Sequence, residues 1–235
     1  MLTLKRGNTG PEVGLLRRLL NKKVKPSPNL PEANVFGAHY NGAMARIDFG
    51  PHMDAAVKAF QHSVGLKEDG IVTPVVWRAL GLKIDISQPV NPTSQPTADT
   101  CYAGAATMVL GASGSASFSP GPAPPGTALD DHWASAFAKQ FSWKLEYGAT
   151  YYPSTLANFL SAGSFWFAGN LPFPAGLSYH AVVVGSMWGD GDPDGSGTML
   201  LIYDPWPVNV GDIYGVILGD YITNYPLAMR YVIHR

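Results

Sequence analysis

Cysteine is almost missing from this chain. Cys101 is the single example in 235 residues, which excludes an intrachain disulfide and a multi-cysteine zinc site. Charged residues are also sparse, at 14% against 46% apolar ones. That balance excludes bulk disorder and a coiled coil, and it supplies enough apolar mass for a globular core. No apolar run reaches the ~18 residues that would span a membrane. Residues 1–20 contain no uninterrupted apolar stretch of the signal-peptide kind, so the expectation is either a trimmed leader or export by another route. No HExxH or similarly tight His/Glu spacing occurs, and His39, His52, His62, His132 and His234 are scattered without a motif. Metal catalysis is therefore not expected, and no cofactor is called for.

The charge that is present is uneven. Residues 1–82 carry 11 Lys/Arg and 6 Asp/Glu, a net of +5, whereas residues 83–235 carry 5 and 11, a net of −6. Such asymmetry suggests two units with different partners. The basic unit would favour an anionic surface. Lys22, Lys23 and Lys25 lack interleaved aromatics, so they read as a solvated patch or one facing an anionic surface, and not as a nucleic-acid site.

The first unit reads as helical. Val13, Leu15, Leu16, Leu19 and Leu20 form an apolar stripe over Pro11–Lys23, with Arg17, Arg18, Lys22 and Lys23 opposite. A Pro/Asn/Gly-rich loop follows over 25–49. A second helix is expected over Asp54–Val64 and a third over Pro74–Leu80, with Thr73 as its N-cap. Residues 83–98 carry prolines at 89, 92 and 96, which reads as an extended linker into the second unit.

The second unit opens with a helix from Cys101 to Leu110, capped by Asp99 or Thr100 and rich in small residues that predict close packing. Residues 113–127 read as a loop. Further helices are expected over 129–141 and from Ser154, and strands over 164–168, 179–187, 199–203 and 229–233. Helices followed by strands argue an α+β fold, with helices packed on an antiparallel sheet.

Three residues of this unit combine into a chemistry. Cys101 starts a helix, where unpaired N–H groups stabilise a thiolate. His180 heads the run Ala181-Val182-Val183-Val184, and Asp204 ends Leu200-Leu201-Ile202-Tyr203. An imidazole beside the thiol would activate it and protonate the leaving group, while a carboxylate fixes the imidazole's tautomer. Gln95, or less plausibly Gln88, would join the Cys101 N–H in an oxyanion hole. The run Asp190-Gly191-Asp192-Pro193-Asp194-Gly195 has the look of a calcium loop, but position twelve is Leu201 where a glutamate is needed. A plain hairpin turn is the better reading.

These segments carry two resemblances. Gln95-x5-Cys101-Tyr102-Ala103-Gly104-Ala105-Ala106, then Tyr179-His180-Ala181-Val182-Val183-Val184-Gly185, then Tyr203-Asp204-Pro205-Trp206 resemble the papain-like cysteine peptidases, in their bacteriocin-processing and secreted-effector branch. The resemblance implies Cys101 as nucleophile, His180 as general base and acid, Asp204 as its orienting group and Gln95 as oxyanion donor. The family often has Trp after the nucleophile, where this chain has Tyr102.

Leu4-x2-Gly7-x5-Val13-x2-Leu16-x2-Leu19-Leu20-Asn21, Phe49-Gly50-x3-Asp54-x2-Val57-x2-Phe60-Gln61, Gly65-Leu66-x2-Asp69-Gly70-Ile71-Val72 and Trp77-x2-Leu80 are similar to the three-helix peptidoglycan-binding domain. This chain departs from it in a long loop over 25–48 and in Thr73 after the Asp-Gly turn.

Together the two resemblances imply a wall-binding domain over 1–82, a linker over 83–98 and a papain-like domain over 99–235. The function they imply is a hydrolase cleaving an amide bond in peptidoglycan peptides, concentrated on its substrate by tethering. Secretion, or delivery into a bacterial periplasm as an antibacterial effector, would fit. Such an effector would have an immunity or secretion-machine partner, no nucleic-acid partner and no membrane span. The alternatives are a protease acting on a protein and a wall-binding protein with an inactive papain-like domain.

Overall fold

The computed structural model describes residues 3–31, 48–111, 131–148, 151–173 and 176–235. Most of the expected loop 25–48, the loop 113–127 and the start of the 129–141 helix lie outside these residues.

Three helices make the first unit: α1 (Pro11–Lys23), α2 (Pro51–Ser63) and α3 (Pro74–Ala79). Each begins with proline in its first turn, where the missing N–H costs nothing. The stripe expected on α1 is fully buried, against Met53, Val57 and Phe60 of α2 and Val76 and Trp77 of α3. Thr73 holds the N-cap position of α3 but makes no side-chain cap bond.

The second unit is α+β. Its strands are β1 (Ile84–Ser87), β2 (Lys144–Tyr147), β3 (Phe165–Phe173), β4 (Gly176–Gly189), β5 (Thr198–Asp204), β6 (Asp212–Ile217) and β7 (Tyr231–His234). They pair antiparallel in the order β2-β7-β3-β4-β5-β6, with β1 joined to β4. Helices α4 (Cys101–Leu110), α5 (Asp131–Gln140), α6 (Pro153–Ala162) and α7 (Leu218–Asn224) complete it.

Alternate residues of β3 and β4 feed two cores, as the period of a strand requires. Phe165, Phe167, Val182 and Val184 pack with α6 and α7, whereas Trp166, Ala168, Ala181 and Val183 pack with α4 and α5.

Several expectations need correction. The extended linker expected over 83–98 contributes a strand to the sheet. Ile84–Ser87 within it pair with Ser186–Gly189 of β4, beyond Val184 where the pairing of β3 ends. Helix α6 starts at Pro153, so Ser154 lies inside it and not at its cap. Strands β1, β2 and β6 and helix α7 were not expected. Neither Asp99 nor Thr100 caps α4 through its side chain. The Thr100 hydroxyl donates instead to the Thr97 carbonyl at 3.1 Å.

The two units also share a core. Trp188, Met199 and Ile217 of the sheet are buried in the same apolar cluster as the α1 stripe. Gly215 on β6 makes room for this contact, since a Cβ there would stand 2.3 Å from the Pro11 side chain. The charge asymmetry closes on itself at the seam. Lys22 and Lys23 both reach Asp190 (3.2 and 3.0 Å) and Asp192 (3.1 and 3.0 Å), Lys22 also reaches Asp194, and Arg18 pairs with Asp220. The solvated patch expected at Lys22 and Lys23 is thus the second unit's counter-charge.

Candidate active site

Cys101 is the first residue of α4 and is buried. The first N–H groups of a helix have no intrahelical acceptor, so the sulfur sits where the helix is most electropositive. Small residues let α4 approach closely. Gly104 faces Pro205, and a Cβ there would lie 2.7 Å from the proline side chain. The helix carrying the thiol is thereby pressed onto the turn that follows Asp204.

His180 lies on β4 opposite Gly169 of β3. Asp204 ends β5, and β4 and β5 are the two arms of the expected hairpin. The ring Nε2 donates to Asp204 Oδ1 at 2.6 Å, with the two side chains 4% and 0% exposed. Cys101 hydrogen-bonds the same ring. With Nε2 committed to Asp204, Nδ1 is the nitrogen left to face sulfur. Burial pulls the imidazole's pKa down, but the charges of Asp204 and Cys101 and their hydrogen bonds outweigh it, and His180 is pushed up to about 10. The arrangement therefore favours the protonated ring.

The carboxylate is itself held. The Trp206 backbone N–H donates to Oδ1 at 2.8 Å and the Tyr214 hydroxyl to Oδ2 at 3.2 Å. Tyr214 was missed in the sequence because its strand was missed. The alternation in Asp212-Ile213-Tyr214-Gly215-Val216-Ile217 was the available signal, and Gly215 weakened it. Tyr102 follows the thiol in α4 and is buried. Its ring meets Phe137 edge-on at 5.7 Å, and burial, then the neighbouring Cys101 charge, raise its phenol.

Gln95 is fully buried. Its Nε2 donates one hydrogen to the Thr97 carbonyl at 2.7 Å, and its Oε1 has no partner among the described residues. Its backbone is pinned to the far side of the site, with Gln95 N–H donating to Pro205 and Asn209 N–H donating to Gln95. Gln88, the alternative, donates to the Leu160 carbonyl in another part of the unit.

The Asp190–Asp194 loop is the β4–β5 hairpin connection. Asp190 Oδ1 accepts the Asp192 N–H, Asp194 Oδ1 accepts the Ser196 N–H, and the remaining charge is met by Lys22 and Lys23. Among the described residues no group of three or more His, Cys, Asp or Glu is arranged to hold a metal ion. None of their helices is long and apolar enough to cross a membrane.

Residues 9–80 match the family model described as "Putative peptidoglycan binding domain". The chain carries a peptidoglycan-binding domain at its N-terminus. That match supports peptidoglycan as the partner of the first unit and the cell wall as the place where it associates. Comparison with curated proteins and with solved structures finds no match.

Proposed function

We propose that this chain is a cell-wall-targeted cysteine hydrolase of papain-like type, cleaving an amide bond in peptidoglycan peptides. The observation that supports this most is the buried relay in which Cys101 hydrogen-bonds His180 and His180 donates to Asp204 at 2.6 Å. A thiol needs this kind of neighbour to react at neutral pH, because a free one has a pKa of ~8.5. The peptidoglycan-binding unit supplies the substrate class.

In the proposed reaction, the Cys101 thiolate attacks the amide carbonyl carbon. The oxyanion is met by the Cys101 N–H and the second Gln95 amide hydrogen. The His180 imidazolium gives its Nδ1 proton to the leaving nitrogen as the C–N bond breaks, leaving a thioester and a free amine. Neutral His180 then takes a proton from water, whose oxygen attacks the thioester. The carboxylic product departs and the thiolate–imidazolium pair returns. Asp204 keeps the ring's tautomer and orientation throughout.

The seam between the units changes the expected role of the binding domain. It is packed on the sheet through a shared core, so a bound glycan would be presented to Cys101 in a fixed direction. The test is digestion of purified sacculi with mass spectrometry of the released fragments. Wild-type protein is expected to release peptide fragments. Cys101→Ala is expected to release them at least ~10⁴-fold more slowly while still sedimenting with the wall. Intact sacculi after wild-type treatment would refute the substrate assignment, and cleavage of an unfolded protein substrate instead would favour a protease.

A further inference from the structure

The Asp204 carboxylate is fully buried, and a buried carboxylate must have its lone pairs met or be costly to keep charged. Oδ1 is met twice, by His180 and by the Trp206 N–H. Oδ2 accepts from the Tyr214 hydroxyl of the neighbouring strand. The register explains the reach. Tyr214 stands opposite Ile202, two residues before Asp204, so the two side chains share a face as diagonal neighbours within range of an aromatic ring. Tyr214 is itself buried, and the next residue of its strand is Gly215, against which Pro11 of the first unit is seated. The strand that delivers the hydroxyl is thus clamped from its other side.

We infer that Tyr214 is a positioning residue for the reaction proposed above: its hydroxyl fixes the Asp204 carboxylate in the rotation that turns Oδ1 onto His180. Without it, the carboxylate turns about its own axis in search of another donor and the Nε2–Oδ1 contact loosens. A tyrosine hydroxyl buried only for packing would need a partner too, but its removal would leave the imidazole unchanged.

The test reads the imidazole and needs no substrate, so its failure is distinct from failure of the hydrolase reading, which Cys101 reactivity decides. In the full chain, the His180 Nε2–H proton is followed by NMR at pH 6 and assigned through its loss in Asp204→Asn. In wild-type protein it is expected far downfield and slow to exchange with water. Tyr214→Phe keeps the ring's volume and is expected to fold, as thermal melting will show. It should move this resonance upfield and speed its exchange about tenfold, as the loss of one hydrogen bond to a charged group implies. Ile202→Val is the control, because it loosens the same part of the sheet without touching Asp204. The inference is overturned if Tyr214→Phe keeps the wild-type shift and exchange rate, or if Ile202→Val changes them as much.

Discussion

Two histidine–carboxylate pairs in this molecule have the same length. His62 Nδ1 meets Glu68 at 2.6 Å on the first unit, and His180 Nε2 meets Asp204 at 2.6 Å in the second. The His62 and Glu68 side chains are 76% and 55% exposed, whereas those of His180 and Asp204 are 4% and 0%. Water competes for every hydrogen bond of the first pair and salt screens it, so its contribution is small whatever its geometry. The second pair has no water to fall back on. Trp206, Tyr214 and Cys101 are among the groups that meet it, and its burial makes the ring's protonation depend on its protein neighbours. Distance does not separate the two pairs; the surroundings do.

The comparison is broken most strongly at Asp204. Because folding raises the His180 pKa from 6.5 to about 10, the stability this pair contributes is fully present below about pH 6.5 and is lost as pH climbs to about 10. Thermal melts across that window should show the loss in wild-type protein, and Asp204→Asn should flatten it as well as lower the melting temperature. At pH 7 the same variant should cut the proposed hydrolysis by about 10³-fold or more, since the ring loses its orienting charge.

The seam lies between the two extremes. Asp190 is fully buried but Lys22 and Lys23 are partly exposed. Replacing both lysines with alanine leaves the Asp190 charge without its counter-ions and should cost about 1–3 kcal/mol in urea unfolding. The cost should shrink as salt rises. Acid should loosen the same contact. Hydrogen bonds from Lys23 and then Lys22 hold Asp192 down at about 2, so its contribution is present above about pH 3.8 and lost as pH falls through about 2. The smallest effect is expected at the surface pair, where His62→Ala should change stability by less than about 0.5 kcal/mol and leave the melts between pH 6.5 and 10 unaltered.

What was legible in the sequence follows the same division between local and non-local causes. The α1 stripe, the proline starts of α1 and α3, the apolar run of β4 and the small residues of α4 are local patterns, and they map onto buried faces, a close approach and helix starts. Cys101, His180 and Asp204 were readable through motif order, and the fold joins them. β1 was hidden because the prolines at 89, 92 and 96 dominated its window, although Ile84 and Ile86 alternate as a strand should. β6 was hidden by Gly215, whose reason lies on Pro11, some two hundred residues away in the chain. The charge asymmetry was visible as a sign, but no local pattern could say that Lys22 and Lys23 are addressed to Asp190 and Asp192. Tyr214 fell to the same gap, since its partner is known only once the strands are paired.

The account stands on Cys101 being ionised beside His180. Its most direct test is the rate of carbamidomethylation of Cys101 by iodoacetamide, followed from pH 4 to 10 in the full chain, with Cys101→Ala as the blank. A thiolate held by an imidazolium should react well below the free-thiol midpoint of ~8.5, so that the rate at pH 6 already stands near its value at pH 8. A rate that stays negligible at pH 6 and climbs only around pH 8.5 would contradict it.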